Sequence, residues 1–349
     1  MGKIRVGIIG FGSIGKYHFR AFDKHPEAEV VAVCDIDEAE LKLAKSEYGV
    51  DAVYKDYHDL LAREDIDAVS VALPNYLHAP VTIEALKSGK HVLCEKPPAI
   101  TAREVKEMFE TSRKTGKSLV IELTFRFMNK SQAAKKLIES GALGDIYYAR
   151  CGYLRRSGIP GYGSWFTRKK EAGAGPLFDI GVHALDLTLW LIGDFKSDYV
   201  IGSTYAKFGP RGKGKGGWGK PVPGGPFEVE DLASAYIKMQ SGATVYLEVS
   251  WAAHIGGGKF YSIILGDKGG LDYEAMTLYS EEDDVLLDKK IVTREDDPYF
   301  SAISHFVDTV VRDVEPLTKP EEMIWLQATL EAALKSAEKN EPVKVSSLI

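Results

Sequence analysis

Cysteine is scarce in this chain. Only Cys34, Cys94 and Cys151 occur among the 349 residues. Their number is odd, and their spacing matches no metal-ligand pattern, so they provide neither a disulfide framework nor a metal site. Three thiols without partners of this kind are typical of a protein from a reducing compartment.

Two other features are also absent: an excess of basic residues and a long apolar run. The net charge is -6, whereas binding to nucleic acid or to an anionic membrane requires a clustered basic face. No apolar run reaches the length of about 20 residues that spans a bilayer. The first residues, MGKIRVGIIGFG, lack the basic-then-apolar pattern of a signal peptide. We therefore expect a soluble cytoplasmic protein that binds neither nucleic acid nor membranes.

The composition is that of a globular protein. Hydrophobic residues make up 45% and charged residues 27% of the chain, which are ordinary values for a folded domain. A chain of 349 residues exceeds what one hydrophobic core usually accommodates. The sequence therefore predicts two domains.

Strand and helix signals alternate in the first third of the chain. Short runs rich in branched apolar residues occupy 3–10, 29–35, 67–73, 91–96 and 118–124. Amphipathic helical patterns separate them, and this alternation predicts a parallel, doubly wound α/β sheet. We assign this domain to residues 1–123.

The pattern changes in residues 124–349, which we assign to a second domain. Alternating strands follow one another with short turns, at 145–155, 232–239, 242–250 and 259–266. Such succession predicts an α+β domain with a mostly antiparallel sheet. The segment 208–227, rich in Gly and Pro, predicts an irregular, mobile loop.

A glycine-rich turn follows the first strand. Gly10, Gly12 and Gly15 stand in the G-x-G-x-x-G spacing, which is weak evidence by itself. Because the turn directly follows a buried strand and opens a helix, it predicts a dinucleotide site rather than a plain strand–helix turn. The helix start would face the pyrophosphate with unpaired N–H groups. The intervening Phe11, Ser13 and Ile14 complete the predicted cofactor-binding turn.

Asp35 ends the second strand, where dinucleotide-binding domains place an acidic residue against the ribose. Its carboxylate would accept hydrogen bonds from the ribose hydroxyls and repel a 2′-phosphate, so NAD is favoured over NADP. The alternative is that Asp35 caps the next helix, although Asp37 is the better candidate for that cap.

Two further strand ends carry polar residues. Ligands of open α/β sheets bind at the carboxyl ends of the strands. Pro74, Asn75 and His78 follow one strand, and Glu95 and Lys96 follow the next. We predict that all five border the cofactor, although His78 could equally be a packing residue and Glu95 and Lys96 ordinary loop charges.

The order and spacing of four motifs and Asp35 resemble those of the Gfo/Idh/MocA family of oxidoreductases. The motifs are GFGSIG, LPNYLH, EKPP and GAGPLFDIGVHALD. The resemblance covers nearly the whole chain. It implies an N-terminal Rossmann domain and a C-terminal domain with a large open sheet that often forms homodimers or homotetramers. It also implies oxidation or reduction of a hydroxyl or keto group on a sugar, inositol or polyol.

The resemblance further implies which residues act. Lys96 matches the family lysine that contacts the reacting substrate, and Asp179 and His183 match the acid and imidazole beside it. We therefore predict these three as catalytic and substrate-binding. Asp186 matches a third, supporting acidic position. Arg126 resembles a family arginine at the domain junction, and we predict that it borders the cofactor.

The helical pattern of GPLFDIGVHALDL agrees with these roles. Residues four apart on a helix share a face, so Asp179 could orient His183. The alternative is that Asp179 is an N-cap and His183 an interior histidine. In the predicted mechanism His183 is the general base, and Lys96 stabilises charge on the reacting oxygen.

We predict that the loop at 155–173 lines the substrate side of the site. It carries Arg155, Tyr162 and Trp165, which combine stacking surface with hydrogen-bond donors and suit a carbohydrate. Trp165 also resembles the aromatic residue that family members place near the nicotinamide. The alternative is an exposed, solvated loop.

Three functions are compatible with these residues. The first is an NAD(P)-dependent dehydrogenase or reductase acting on a sugar or polyol. The second is an NAD-dependent glycoside hydrolase that uses transient oxidation, and the third is a non-enzymatic, dinucleotide-dependent regulator. Lys96, Asp179 and His183 together favour an enzyme over a regulator.

Overall fold

The computed structural model of the chain describes residues 2–349, which divide into two units. The first contains the residues up to Ala99 together with Arg103–Thr124 and Asp297–Met323. The second contains Ile100–Ala102, Phe125–Asp296 and Ile324–Ile349.

A six-stranded parallel sheet forms the centre of the first unit. Its strands are β1 (Ile4–Ile9), β2 (Ala28–Cys34), β3 (Val53–Tyr54), β4 (Ala68–Val71), β5 (His91–Cys94) and β6 (Leu119–Ile121). The order is β3-β2-β1-β4-β5-β6, and every pair is parallel. This is the Rossmann order, so the predicted doubly wound α/β sheet is confirmed.

Helices connect these strands. They are α1 (Ser13–Lys24), α2 (Glu38–Tyr48), α3 (Tyr57–Leu61), α4 (Asn75–Lys87) and α5 (Ala102–Thr115). Asp37 caps α2 by accepting a hydrogen bond from the Ala39 N–H, as predicted. The parallel strands all end at one edge of the sheet, and the predicted site residues of this unit lie at that edge.

The second unit is built on a nine-stranded sheet. The helices that precede or interrupt it are α6 (Asn129–Glu139), α7 (Lys169–Ala172), α8 (Pro176–Asp179) and α9 (Gly181–Ile192). Eight of its nine strands are β7 (Ile146–Leu154), β8 (Ser197–Tyr205), β9 (Leu232–Met239), β10 (Thr244–Ser250), β11 (Lys259–Gly266), β12 (Gly269–Asp272), β13 (Thr277–Glu282) and β14 (Val285–Lys290). Only β7 and β10 pair in parallel, so the mostly antiparallel sheet is confirmed.

The C-terminal part of the chain contributes to both units. It forms α10 (Pro298–Arg312), α11 (Pro320–Lys339) and β15 (Val343–Lys344), which pairs with β8 at the edge of the large sheet. The prediction assigned all of 124–349 to one domain. Instead, α10 packs in the first unit, because Ile303, Phe306 and Val307 share a buried core with β1 and α1.

The helix predicted across 175–187 is broken. α8 ends at Asp179 and α9 begins at Gly181. Segments 169–179 and 181–192 are bent by 49° relative to each other. That pair together meets the length and apolarity of a membrane span, but no single helix in residues 2–349 does.

The segment 208–227 is irregular, as predicted, but its backbone has partners. The N–H groups of Gly158 and Ile159 donate to the Gly214 carbonyl at 3.0 and 2.9 Å, and the Gly216 N–H donates to the Ile159 carbonyl at 2.8 Å. The loop is therefore held along the 155–173 loop within the second unit.

Candidate active site

The glycine turn has the geometry of a phosphate cradle. Gly10 has a φ of +92°, and a Cβ there would lie 2.3 Å from the Ala72 carbonyl oxygen. A Cβ on Gly15 would lie 2.0 Å from the Gly10 carbonyl oxygen, so neither position tolerates a side chain. A Cβ on Gly12, by contrast, would meet nothing within 4 Å. Open space therefore borders the start of α1, where no side chain caps the helix, and a pyrophosphate fits there.

Asp35 connects the second strand to this turn. One carboxylate oxygen accepts a hydrogen bond from the Phe11 N–H at 2.7 Å, and the other accepts one from the Asp37 N–H at 2.8 Å. Burial raises the pKa of Asp35, and the two backbone donors oppose that rise. The carboxylate is therefore fixed beside the glycine turn, where a ribose would lie.

The remaining residues of the predicted turn differ in accessibility. Ser13 is exposed and Ile14 is half-buried. Phe11 is fully buried, with edge-to-face contacts to Phe19 and Tyr48 at ring-centroid distances of 6.1 and 5.1 Å. The side chain of Phe11 therefore lies in the hydrophobic core, and only its backbone belongs to the glycine turn.

The LPNYLH segment contributes less accessible surface than predicted. Asn75 is 6% and His78 is 1% exposed, whereas Pro74 is half-buried. The two ring nitrogens of His78 lie 2.7 Å from the Pro97 and Leu73 carbonyl oxygens. His78 therefore connects the two strand-end segments through its ring, and the prediction that it contacts a cofactor is not supported by this geometry.

Lys96 has a distinct position at the end of β5. Val92–Glu95 and Pro97–Ala99 are buried, and Lys96 between them is half-buried. Its backbone N–H donates to Glu95 Oε2 at 3.1 Å. The surrounding buried chain fixes the backbone from which the ammonium group projects.

Glu95 belongs to a buried polar cluster. Its Oε1 lies 3.1 Å from Nε2 of His18, and Nδ1 of His18 lies 2.7 Å from the Ser70 hydroxyl. Burial raises the pKa of Glu95, but the close contact with His18 and the charge of its imidazole lower that pKa by more, so the net direction is downward. For His18 the burial lowers the pKa, the contact with Glu95 raises it, and the net direction is upward.

Asp179 and His183 are the accessible positions of an otherwise buried stretch in the second unit. Every other residue of Ala172–Leu191 is buried, whereas these two are half-buried. They lie on different helices, α8 and α9. The prediction that they share a face of one helix is therefore wrong, because the helix breaks at Ile180.

Two residues distant in sequence support Asp179 and the helix that carries it. The buried Trp251 donates its indole N–H to Asp179 Oδ2 at 2.8 Å. Glu230 accepts hydrogen bonds from the Gly175 and Leu177 N–H groups at 2.9 and 3.1 Å, which fixes the start of α8. Burial raises the pKa of Glu230 to about 7.

His183 is positioned by an aromatic partner. Its ring stacks on Phe125, with centroids 4.8 Å apart and planes inclined by 22°. The next residue, Arg126, pairs with Asp186 on α9 through Nε at 3.0 Å and a terminal nitrogen at 2.6 Å. Arg126 is 0% exposed, so it anchors the Phe125 segment to α9, and the prediction that it borders the cofactor is not supported.

The predicted substrate loop is only partly available. The Tyr162 hydroxyl donates to the Gly209 carbonyl at 2.7 Å, and its ring stacks on Phe227, so Tyr162 mainly binds the neighbouring loop. Trp165 is half-buried and stacks on Phe166, with centroids 3.8 Å apart. Arg155 is half-buried, with its guanidinium 4.8 Å from the Tyr153 ring centroid.

Sequence reasoning missed several residues that shape the site. Glu122 directly follows β6 at the same sheet edge as Glu95, so its strand-end position could have revealed it. Trp251, Glu230 and Phe125 gave no such signal, because their importance depends on contacts with α8 and α9.

Comparisons with known proteins agree with this architecture. Residues 4–123 match the family model described as "Oxidoreductase family, NAD-binding Rossmann fold", and residues 131–272 match the "GFO/IDH/MocA C-terminal domain". These matches confirm the prediction of an NAD-binding domain.

Individual relatives are similar over most of the chain. The D-glucoside 3-dehydrogenase of Escherichia coli is 32% identical over 340 residues, which cover 96% of this chain and 95% of that protein. The levoglucosan dehydrogenase of Pseudarthrobacter phenanthrenivorans is 33% identical, covering 73% of this chain and 69% of the relative. A solved structure of levoglucosan dehydrogenase with NADH and L-sorbose superposes with a TM-score of 0.85 at 25% identity, over 99% of each chain. The chain therefore belongs to the Gfo/Idh/MocA family of oxidoreductases, as its motifs predicted.

Proposed function

We propose that the protein is an NAD-dependent dehydrogenase that transfers hydride between the nicotinamide and a hydroxyl-bearing or keto carbon of a glucoside or related hexopyranoside. One observation carries this proposal: Asp179 and His183 alone are accessible within the buried stretch Ala172–Leu191. A half-buried acid and a half-buried imidazole that remain accessible in such a stretch can take part in proton transfer. The likeness to the D-glucoside 3-dehydrogenase over almost the whole chain supports a sugar as the substrate class.

The proposed mechanism assigns a proton-handling role to each residue. His183 accepts the proton of the substrate hydroxyl, since an imidazole ionises near working pH. Lys96 donates a hydrogen bond to the same oxygen and stabilises its developing negative charge. Asp179, held by the indole of Trp251, stabilises the imidazolium form of His183. The glycine turn and Asp35 would hold the dinucleotide, whose nicotinamide would supply the hydride-transfer chemistry.

The choice of NAD over NADP rests on Asp35. Its carboxylate is fixed beside the glycine turn by two backbone N–H groups. A phosphate on the ribose 2′-oxygen would place negative charge against this carboxylate. We therefore expect weaker binding of NADP than of NAD.

An absorbance assay with NAD and NADP tests the activity against a panel of glucosides, anhydrosugars, inositols and free sugars. Lys96→Ala and His183→Asn should each lower kcat by about 10²–10⁴-fold. Lys87→Ala, at the exposed end of α4, is the matched control and should retain wild-type turnover. Wild-type turnover in both site variants would refute the assignment.

The same assay separates the two alternatives. Glycoside cleavage that depends on NAD but yields no net NADH would indicate the hydrolase that uses transient oxidation. An absence of both reactions, together with binding to a protein partner that depends on the dinucleotide, would indicate a regulator.

We also propose that the protein forms a homodimer or homotetramer through the open face of its large sheet. Ile201, Tyr236, Tyr246 and Arg150 are direct cross-strand neighbours on that face, and the three apolar ones are 36–46% exposed. A contiguous apolar row of this kind is typical of an interface. Tyr236→Glu should lower the sedimentation coefficient to that of a monomer, and an unchanged value would exclude this face.

A cytoplasmic location is the third part of the proposal. Cys34, Cys94 and Cys151 are all buried free thiols, a state that a reducing compartment maintains. Recovery of a tagged protein in the cytoplasmic fraction would test it, and recovery elsewhere would refute it.

A further inference from the structure

Strand β14 lies at the outer edge of the large sheet, and within residues 2–349 no strand pairs with its other side. Apolar side chains at this edge are exposed to solvent. Leu286 is 80% exposed, and Val292, two residues beyond the end of the strand, is 91% exposed. An unpaired strand edge that carries large exposed apolar side chains is a template for pairing with another strand. This edge is therefore a candidate interaction surface.

The register of the β13–β14 hairpin determines which backbone groups of the edge are unpaired. The Ile291 N–H donates to the Met276 carbonyl oxygen at 2.8 Å, and the ladder continues from there with Lys290 opposite Thr277. Residues of an antiparallel strand point their backbone groups alternately to one side and the other. The odd-numbered residues of β14, in line with Ile291, therefore bond to β13. The residues whose N–H and C=O groups point away from β13 are Leu286, Asp288 and Lys290, and Val292 continues this series.

We propose that this edge pairs in antiparallel fashion with the same edge of a second copy of the chain, about a two-fold axis at Lys289. A symmetric pair of this kind requires that residues with outward backbone groups oppose each other, and the axis at Lys289 satisfies that condition. Between the copies, this register pairs Asp288 with Lys290, Leu287 with Ile291 and Leu286 with Val292. The inference concerns assembly and does not depend on the catalytic activity.

Complementary side chains meet along this register. Asp288 is exposed and opposes Lys290. The Lys290 ammonium group donates to the Thr277 hydroxyl at 2.7 Å, which leaves further donors for the carboxylate. The one unfavourable contact is that of Lys289 with its own copy, and Glu282 balances each of these charges from a distance of 2.6 Å.

The neighbouring symmetric registers fit less well. An axis at Asp288 would oppose this carboxylate to its own copy, and like charges directly opposite each other are destabilising. The same axis would place Leu286 against Lys290. An axis at Leu287 would place Leu286 against Asp288. The charges and the apolar side chains therefore select the axis at Lys289.

The edge adds to the open face of the same sheet, where the proposed function places a first interface. A single pair of short strands is a small interface and holds two monomers only weakly. Two open-face dimers that join through two such edges make the second contact at high effective concentration. The edge therefore distinguishes the two assemblies, because it predicts a homotetramer rather than a homodimer.

A cysteine at the axis tests the register directly. Lys289 opposes its own copy as a non-hydrogen-bonded pair, with Cα atoms about 4.5 Å apart, a distance that a disulfide can bridge. Oxidised full-length Lys289→Cys protein should therefore run as a covalent dimer on a non-reducing gel. Leu286→Cys is the matched control, because the two copies of residue 286 lie about 20 Å apart along the strands. It should stay monomeric on the gel.

The three natural thiols are buried, so the wild type should not cross-link. The absence of a cross-link in Lys289→Cys, or equal cross-linking of Leu286→Cys, would overturn the proposal.

Sedimentation of the full-length protein tests the charge pair. The wild type should be a tetramer, and Asp288→Lys and Lys290→Asp should each raise the dissociation constant of the tetramer about tenfold, because like charges then oppose each other. The double variant Asp288→Lys/Lys290→Asp should restore it. Lys268→Glu, exposed on the turn between β11 and β12, is the control and should remain tetrameric. A wild type smaller than a tetramer, or single variants as tetrameric as the wild type, would overturn the proposal.

The edge and the open face can be tested separately. In a Tyr236→Glu background, Lys289→Cys should still cross-link, although the dilute protein without the cysteine sediments as a monomer. A cross-link that is lost together with the open face would overturn the pairing of edges. A Lys289→Cys protein that cross-links but oxidises no sugar would refute only the proposed activity.

Discussion

The buried pair between Arg126 and Asp186 is the contact whose loss should be most costly. Asp186→Asn keeps the volume of the side chain but removes the negative charge that faces the buried Arg126 guanidinium. The structure determines the magnitude: the two side chains are 0% and 1% exposed, and the guanidinium lies 5.8 and 5.4 Å from the ring centroids of Trp190 and Phe195. Removing one partner of such a pair costs about 3–5 kcal/mol.

The assay is urea denaturation followed by circular dichroism for wild type, Asp186→Asn, Arg126→Met and the double variant Arg126→Met/Asp186→Leu. Each single variant should lose about 3–5 kcal/mol in the free energy of unfolding. The double variant should recover most of that loss, because no charge remains to be desolvated. The single variants should also lower kcat, since this pair anchors the Phe125 segment on which His183 stacks.

A surface pair of the same residue types is the control. Arg312 and Asp308 lie 2.7 Å apart with side chains 47% and 43% exposed, so Asp308→Asn should cost less than about 1 kcal/mol. Equal losses for the buried and the surface pair, or a double variant as unstable as the sum of the singles, would refute the reasoning.

Two further predictions concern the support of α8. Trp251→Phe should lower kcat about tenfold with little change in fold, because Asp179 loses a charge-assisted hydrogen-bond donor. Trp325→Phe, on α11, is the control. Equal kinetics of the two variants would contradict this role of Trp251. Glu230→Gln concerns pH. The pKa of Glu230 is about 7 in the folded protein, against an ordinary value of 4.5. Between these two values the folded state holds a proton that the unfolded state has released. The free energy of unfolding of the wild type therefore falls as the pH rises through this range, by at most about 3 kcal/mol. The stability advantage of wild type over Glu230→Gln should therefore shrink between pH 5 and pH 8, and an advantage that is constant or grows would contradict the assignment.

The alternation of strands and helices in the first unit could be predicted because each signal is local. A buried parallel strand is a short apolar run, and the turn after β1 contains the glycines that its backbone requires. The strand-end positions of Asp35 and Lys96 followed from the same local pattern.

The errors concern contacts between residues distant in sequence. Glu230 binds the start of α8 from a position more than 50 residues further along the chain, and no local pattern indicates that contact. The sequence likewise did not indicate that Arg126 is buried against Asp186, which lies 60 residues further along the chain. Apolar periodicity showed that α10 is amphipathic but not which of the two cores it would enter.

The late position of α10 in the chain affects how the protein is made. The core of the first unit includes Ile303, Phe306 and Val307, so this core is incomplete when the ribosome has synthesised only the six parallel strands. Helix α1 then exposes Phe22, which packs against Phe306 in the finished protein at a centroid distance of 6.2 Å. The N-terminal segment must wait for almost the whole of the second unit to be synthesised before it is covered, and a fragment ending at residue 123 would retain that exposed apolar surface. Chaperone binding to nascent chains should accordingly persist until α10 has left the ribosomal tunnel.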